Sequence, residues 1–262
     1  MEAGKVEVAA GGPIPVATHA RGLPAGAALG WLRAGWSDLA DDPGPSLAYG
    51  LVVFAISVAI TGGLFFLNLD YILLPAIAAF LVVGPLIAVG LYQKSRLIEV
   101  GQQPTFRRMI LVKPESGGQI GFIGVIMLGL ALLWMRAAVI LYALFFGVRP
   151  FPGFDHIAPM LFTTPLGWAM LATGGVIGGL FAAFSFAISA FSIPMLLDQR
   201  TDAFTAMGTS IAIAWTNRPV MIAWGAIVTV LTALGLATGF VGLIVVFPLI
   251  GHATWHAYRA MR

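Results

Sequence analysis

Residues 35–50 read GWSDLADDPGPSLAYG. An acidic helix end runs into Pro43-Gly44-Pro45, and an apolar stretch begins right after Ser46. Proline lacks the N–H that a helix interior needs, so this triplet separates two helices. Upstream, in ALGWLRAGWSDLADDP, Leu29, Leu32, Trp36 and Leu39 recur at helical spacing, with Arg33, Ser37, Asp38, Asp41 and Asp42 on the other side. That pattern predicts an amphipathic helix, too polar to span, lying on a membrane surface. Downstream, 47–67 is apolar and long enough to cross the hydrocarbon layer, which takes about 20 helical residues.

The composition agrees with this junction. The chain has 262 residues, of which 59% are hydrophobic and 10% charged, and its mean hydropathy is +0.94. Soluble domains carry about 25% charged residues. So much apolar surface does not fit inside one water-soluble core, and a multi-span membrane protein follows. Cysteine is absent, which excludes disulfides, thiolate nucleophiles and Cys-ligated metals or clusters. The net charge is only +3 and the basic residues flank apolar runs, which is a topology pattern and excludes a nucleic-acid surface.

Five more runs match the length of a span: 70–93, about 119–147, about 165–197, about 219–237 and about 239–258. The third and fourth spans are longer than needed and must tilt, kink or protrude. Residues 1–24 read as a flexible cytoplasmic tail without the basic start and apolar core of a signal peptide, so the first span is expected to act as an uncleaved anchor; 25–262 form a single membrane domain. Of the 14 Lys and Arg residues, twelve fall on one side of the six spans, Arg149 falls on the other, and Arg136 lies inside the third. This bias places both termini in the cytoplasm.

The opening junction recurs. Phe106, Met109 and Ile110 alternate with Arg107, Arg108 and Lys113 before a Pro/Gly break and the third span. Phe204, Met207, Ile211 and Trp215 form a stripe before Asn217-Arg218-Pro219 and the fifth. The even spans each carry a proline before long apolar residues, at Pro85, Pro194 and Pro248. Three repeats are therefore expected, about 27–96, 104–199 and 201–262, each a cytoplasmic amphipathic helix followed by a transmembrane hairpin. The prolines should kink their spans and free carbonyls that neighbouring helices or hydroxyls must satisfy.

The junction WLRAGWSDLADDPGPSLAYG, the Pro-Leu-Ile and Ile-Pro-Met-Leu-Leu segments, and the ending GHATWHAYR resemble the bacterial integral membrane proteins grouped as domain of unknown function 2189. The resemblance runs over roughly 14–260 and implies a six-span membrane protein with no established activity. Some relatives carry the label of an oxidase's catalytic subunit; four histidines in total are too few for that subunit's haems and copper. An accessory relation to respiratory complexes is what the label implies instead.

Few residues suggest chemistry. His252 and His256 are four apart and share a helix face; they read either as a metal pair or single haem ligand, or as an interfacial belt with Trp255 and Tyr258. Arg136 inside a span costs roughly 2.5–3.5 kcal/mol at a helix centre. It reads as a contact for an ion, lipid headgroup or anionic substrate, as an ion pair with Asp70 or Asp155, or as a snorkelling side chain. Gly174/Gly178 and Gly175/Gly179 in the fourth span read as helix-packing pairs. No nucleophile elbow, phosphate loop or zinc-protease motif occurs. Three functions are compatible: a non-catalytic scaffold or accessory subunit bound to other membrane-protein subunits, a small-solute or ion transporter, and a haem or metal protein using His252.

Overall fold

The computed structural model describes residues 22–147 and 152–262, and the side chains of Phe154, Asp155 and Ala158 lie outside the description. Most of the expected tail therefore also falls outside it. The described residues are helical throughout, with no strand. In chain order the helices are α1 Ala27–Asp41, α2 Pro43–Phe66, α3 Leu73–Ile87, α4 Val89–Glu99, α5 Phe106–Ile110, α6 Gly117–Phe146, α7 Phe154–Thr163, α8 Pro165–Ser189, α9 Ser192–Asp198, α10 Ala203–Thr216, α11 Arg218–Ala237 and α12 Leu243–Met261. Among the described residues five segments are long and apolar enough to cross a membrane: Pro43–Phe66, Asp70–Glu99, Gly117–Phe146, Pro165–Asp198 and Arg218–Ala237. The run expected as a sixth span is α12, and it is not among them. Its second half carries His252, Thr254, His256, Tyr258 and Arg259, which lower its hydropathy, and that half is buried in protein. The helix α7, in the loop between the third and fourth spans, had no counterpart in the sequence reading.

Local chemistry sets the boundaries. Pro43 and Pro165 open α2 and α8, positions where the missing N–H has no intrahelical partner to lose. The Thr164 hydroxyl accepts from Gly167 N at 3.0 Å. The Asp202 carboxylate accepts from Thr205 N at 2.9 Å and caps α10, as the Asp at that place predicts.

The core lies at the end of the bundle that carries the basic residues. The spans themselves expose long apolar faces, such as Leu51, Ile56 and Ile60 on α2 and Val125, Leu128 and Leu132 on α6. Such faces suit a hydrocarbon solvent. By contrast Leu91, Tyr92, Phe191, Leu196, Trp255 and Tyr258, from α4, the α8–α9 junction, α9 and α12, are all almost fully buried. These basic-end segments of the second, fourth and sixth runs meet in the middle.

Around them α1, α5 and α10 each dock on one of these segments. α1 lies along α12, α5 packs on α4, and α10 packs on α8 and α9. α2 packs on α12 and α6 on α3 in the same sense. The eighth residue of α2, of α6 and of α11 is a glycine: Gly50, Gly124 and Gly225. Each faces another helix: a Cβ on Gly50 would lie 2.2 Å from Ile244 O on α12, one on Gly124 3.0 Å from Leu86 Cδ2 on α3, and one on Gly225 3.8 Å from Phe186 Cε1 on α8.

The face that α1 buries differs from the expected stripe. Leu29 and Trp36 are 52% and 55% exposed, while Ala28, Trp31, Gly35, Asp38 and Leu39 are buried. Gly35 explains the rotation. Its missing Cβ would sit 2.5 Å from the Ala253 backbone N, so only this face lets α1 approach α12 closely. Asp38, expected on the polar side, is carried inward with it.

The three prolines behave differently. Pro85 lies inside α3, which ends two residues later at Ile87 with Ala88 as its C-cap. There Leu91 N turns to Ala88 O, and the Tyr49 hydroxyl donates to the Ile87 carbonyl at 2.6 Å. Pro194 sits in the first turn of α9, after the break at Phe191. At that break the Ser210 hydroxyl inserts into the ladder, donating to Ala187 O at 2.6 Å and accepting from Phe191 N at 3.2 Å. Pro248 lies within an unbroken α12.

Candidate functional site

His252 and His256 sit on α12, and each meets a different partner. His252 is fully buried. Its Nε2 lies 2.9 Å from Ser46 Oγ and its Nδ1 lies 2.8 Å from Ser95 Oγ. His256 Nε2 lies 2.8 Å from Asp38 Oδ2. The two histidines share a helix face but no common ligand position. Among the described residues no group of three His, Cys, Asp or Glu side chains could hold a metal ion.

Lys94, also fully buried, completes the cluster. It donates to Ser46 Oγ at 2.8 Å and to the Asp42 carbonyl at the end of α1. The donor inventory gives the chain a direction. An ammonium only donates, so Ser46 Oγ accepts and turns its hydrogen to His252 Nε2. The ring proton then sits on Nδ1 and is donated to Ser95 Oγ. One line of donors runs from the Lys94 ammonium through Ser46 and His252 to Ser95. Beside it, His256 meets the Asp38 carboxylate.

This arrangement sets one buried cation and one buried anion on either side of neutral groups, each with partners of its own. A buried charge without partners is very costly; here α1, α2, α4 and α12 each contribute one end or link. Burial pushes the Asp38 carboxyl up, but hydrogen bonds from His256 and Ser95 and the neighbouring charge outweigh it and hold the group below its ordinary 3.8.

A second, more superficial network ties the same helices. Asp198 at the end of α9 accepts from Tyr258 at 2.9 Å, pairs with Arg259 at 3.6 Å and Arg96 at 3.8 Å, and also pairs with Arg262. Arg96 further donates to Leu197 O at 2.9 Å and meets Glu115 at 3.6 Å. Arg259 pairs with Glu99 at 2.8 Å. Thus α4, α9 and α12 are clamped at their basic ends by one carboxylate.

The other sequence candidates lie elsewhere. Arg136 is exposed on α6 and has no hydrogen bond or ion pair among the described residues, so it does not pair with Asp70. Asp70 opens a short 3-10 turn after α2 and lines a cavity of about 760 Å³ at the far end. The Asp155 side chain falls outside the description. Of the four span glycines, Gly174 and Gly178 face α6, where a Cβ would lie 3.1 Å from Leu141 and 2.7 Å from Trp134. Gly175 and Gly179 face open space.

The sequence reading missed Lys94, Ser46, Ser95, Asp38 and Asp198. Lys94 and Asp198 read there as flanking charges, and the serines carried no motif. The one available signal was Gly35 three residues before Asp38, a small residue beside an acid on one helix face.

The helices and this sealed polar core define an all-helical, multi-pass integral membrane protein. Residues 73–198, just under half of the chain, match the family model described as predicted integral membrane protein (DUF2189). The resemblance drawn from the sequence is thereby shown over that stretch; the opening junction and the terminal His motif lie outside it. No curated protein and no solved structure matches the chain.

Proposed function

We propose that the chain is a non-catalytic integral membrane protein, acting as a scaffold or accessory subunit of a larger complex in a bacterial inner membrane. The observation that carries this reading is the closure of the polar core. Lys94, Ser46, His252, Ser95, Asp38 and His256 all have partners within the protein, and none of these side chains lines either of the two cavities described. Groups arranged in this way hold helices together and meet no substrate.

The proposal includes six spans in three repeats with both termini cytoplasmic. The docking of α1, α5 and α10 and the matching glycines Gly50, Gly124 and Gly225 support three repeats. The apolar first half of α12, Leu243–Ile250, supports a sixth crossing whose second half is shielded from lipid by α1, α2 and α4. Full engagement of the His252 ring supports a structural role for it over haem or metal ligation. A route for solute through Arg136 has little support, because Arg136 lines neither cavity.

The test is a mild-detergent affinity purification of the tagged full chain from its native membrane, with co-purifying chains identified by mass spectrometry. Stoichiometric recovery with other membrane subunits is the expected result. Recovery alone as a monodisperse particle, together with solute flux in liposomes, would overturn the scaffold reading.

A further inference from the structure

The three helix junctions at Gly50, Gly124 and Gly225 are not equally tight. The Gly50 junction is closed backbone to backbone and the Gly124 junction against Leu86, whereas Gly225 leaves ordinary van der Waals room to Phe186. At this third junction a groove of about 320 Å³ runs between α3, α8 and α11. Its walls are apolar: Val82, Pro85, Ala183, Phe186 and Val228 among them. Arg218 stands at one end of the lining and Thr229 at the other. They are eleven residues apart on α11, which is about 16 Å of helix. One bilayer leaflet has a hydrocarbon depth of about 15 Å.

Arg218 is the distinguishing group. It is the first residue of α11, where the corresponding first residues of α2 and α6 are Pro43 and Gly117. Its guanidinium lies 4.6 Å above the centre of the Trp215 ring, and it has no carboxylate partner among the described residues. The stacking fixes the planar donor fork while leaving its N–H groups unused. A cation with free donors at the head of an apolar groove one leaflet deep fits one chemistry, a phosphodiester carrying an acyl chain.

We propose that this groove binds one anionic glycerophospholipid from the leaflet on the basic side, its phosphate on Arg218 and one acyl chain along α11. The site is independent of whether the chain serves as a subunit of a complex. Its lining is of the volume seen in small-molecule pockets, about 300–1,000 Å³.

The experiment uses the full chain in mild detergent, stripped of lipid and titrated with phosphatidylglycerol or phosphatidylcholine, with bound lipids counted by native mass spectrometry. The wild type should retain one phosphatidylglycerol with a preference of about tenfold or more over phosphatidylcholine, whose choline cation offsets the phosphate charge that the Arg218 cation meets. Arg218→Gln should bring the two lipids to near equality. Gly225→Leu should fill the groove and remove the retained lipid of either kind. Should the leucine variant aggregate, Arg218→Gln alone decides, since Arg218 is exposed. Equal binding of the two lipids by the wild type, or wild-type retention in Arg218→Gln, overturns the proposal.

Discussion

Replacing Gly50, Gly124 and Gly225 one at a time by alanine should give three different results, in that order of severity. Within a helix, alanine is favoured over glycine by up to about 1 kcal/mol. That gain is the starting point for each variant. At Gly225 the new methyl meets Phe186 at 3.8 Å, an ordinary contact, so the gain stands and the protein becomes more stable by about 0.5–1 kcal/mol. At Gly124 the nearest atom is Leu86 Cδ2 at 3.0 Å. That is the tip of a rotatable side chain, and a small shift brings the net effect close to zero. At Gly50 the methyl would lie 2.2 Å from Ile244 O and 2.8 Å from its carbonyl carbon. Backbone cannot rotate away, so α2 and α12 must part. Overpacking of this kind costs about 1–3 kcal/mol and more when the backbone must move, which exceeds the helix-propensity gain. The assay is equilibrium unfolding of purified protein in mixed micelles, followed by tryptophan fluorescence. Wild-type stability in Gly50→Ala, or a Gly225→Ala variant less stable than Gly50→Ala, would refute the close α2–α12 contact.

Two further outcomes follow from the polar core and a third from the break before α9. Lys94→Met removes the donor to Ser46 and to the Asp42 carbonyl; at about 1–3 kcal/mol for each orphaned buried group, the variant should unfold at markedly lower denaturant, and a wild-type midpoint would show that Lys94 is not inside the protein. Asp38 is held below its ordinary 3.8 in the folded protein, so its contribution is present above that value and is lost as pH falls through the lower folded one; stability measured from pH 5 downward should drop in the wild type and drop less in Asp38→Asn, with identical profiles counting against the pairing with His256. Ser210→Ala leaves Ala187 O and Phe191 N without their inserted hydroxyl and should cost about 1–3 kcal/mol, checked by the same unfolding assay and by faster amide exchange at Phe191.

Much of the architecture was legible because hydrocarbon imposes a simple rule: spans are long and apolar, and their ends are marked by Pro, Gly and charge. The start of α2 at Pro43 and of α8 at Pro165 follow from that rule. The sixth run was harder, because α12 crosses from an apolar half into a half that only other helices shield. The site was scarcely legible. His252 and His256 stood out by spacing, yet spacing shows a shared face and says nothing about what the face meets. Ser46, Ser95 and Lys94 converge from α2 and α4, and that convergence depends on how α1 rotates about Gly35, a tertiary outcome. The stripe of Leu29 and Trp36 misled for the same reason. In water the largest apolar residues turn inward, but beside a membrane the close-packed face can be the one with glycine and alanine, while Trp36 faces outward.

The structure also sorts the basic residues that the positive-inside count treats alike. Lys94, Arg96, Arg200, Arg259 and Arg262 are committed to partners within the protein, so their contribution to attracting lipid is reduced. Arg33, Arg107, Lys113, Arg136 and Arg218 have no ion pair or hydrogen bond among the described residues, and of these only Arg218 borders either of the two cavities. That asymmetry separates a built site from general attraction. A basic residue near an anionic surface is worth about 1 kcal/mol wherever it sits, so Arg107→Gln and Arg218→Gln should lower the general enrichment of anionic lipid around the protein alike. Only Arg218→Gln should release the single retained phosphatidylglycerol, because only Arg218 heads a groove for the acyl chain. Equal loss of that lipid from both variants would reduce the site to surface charge.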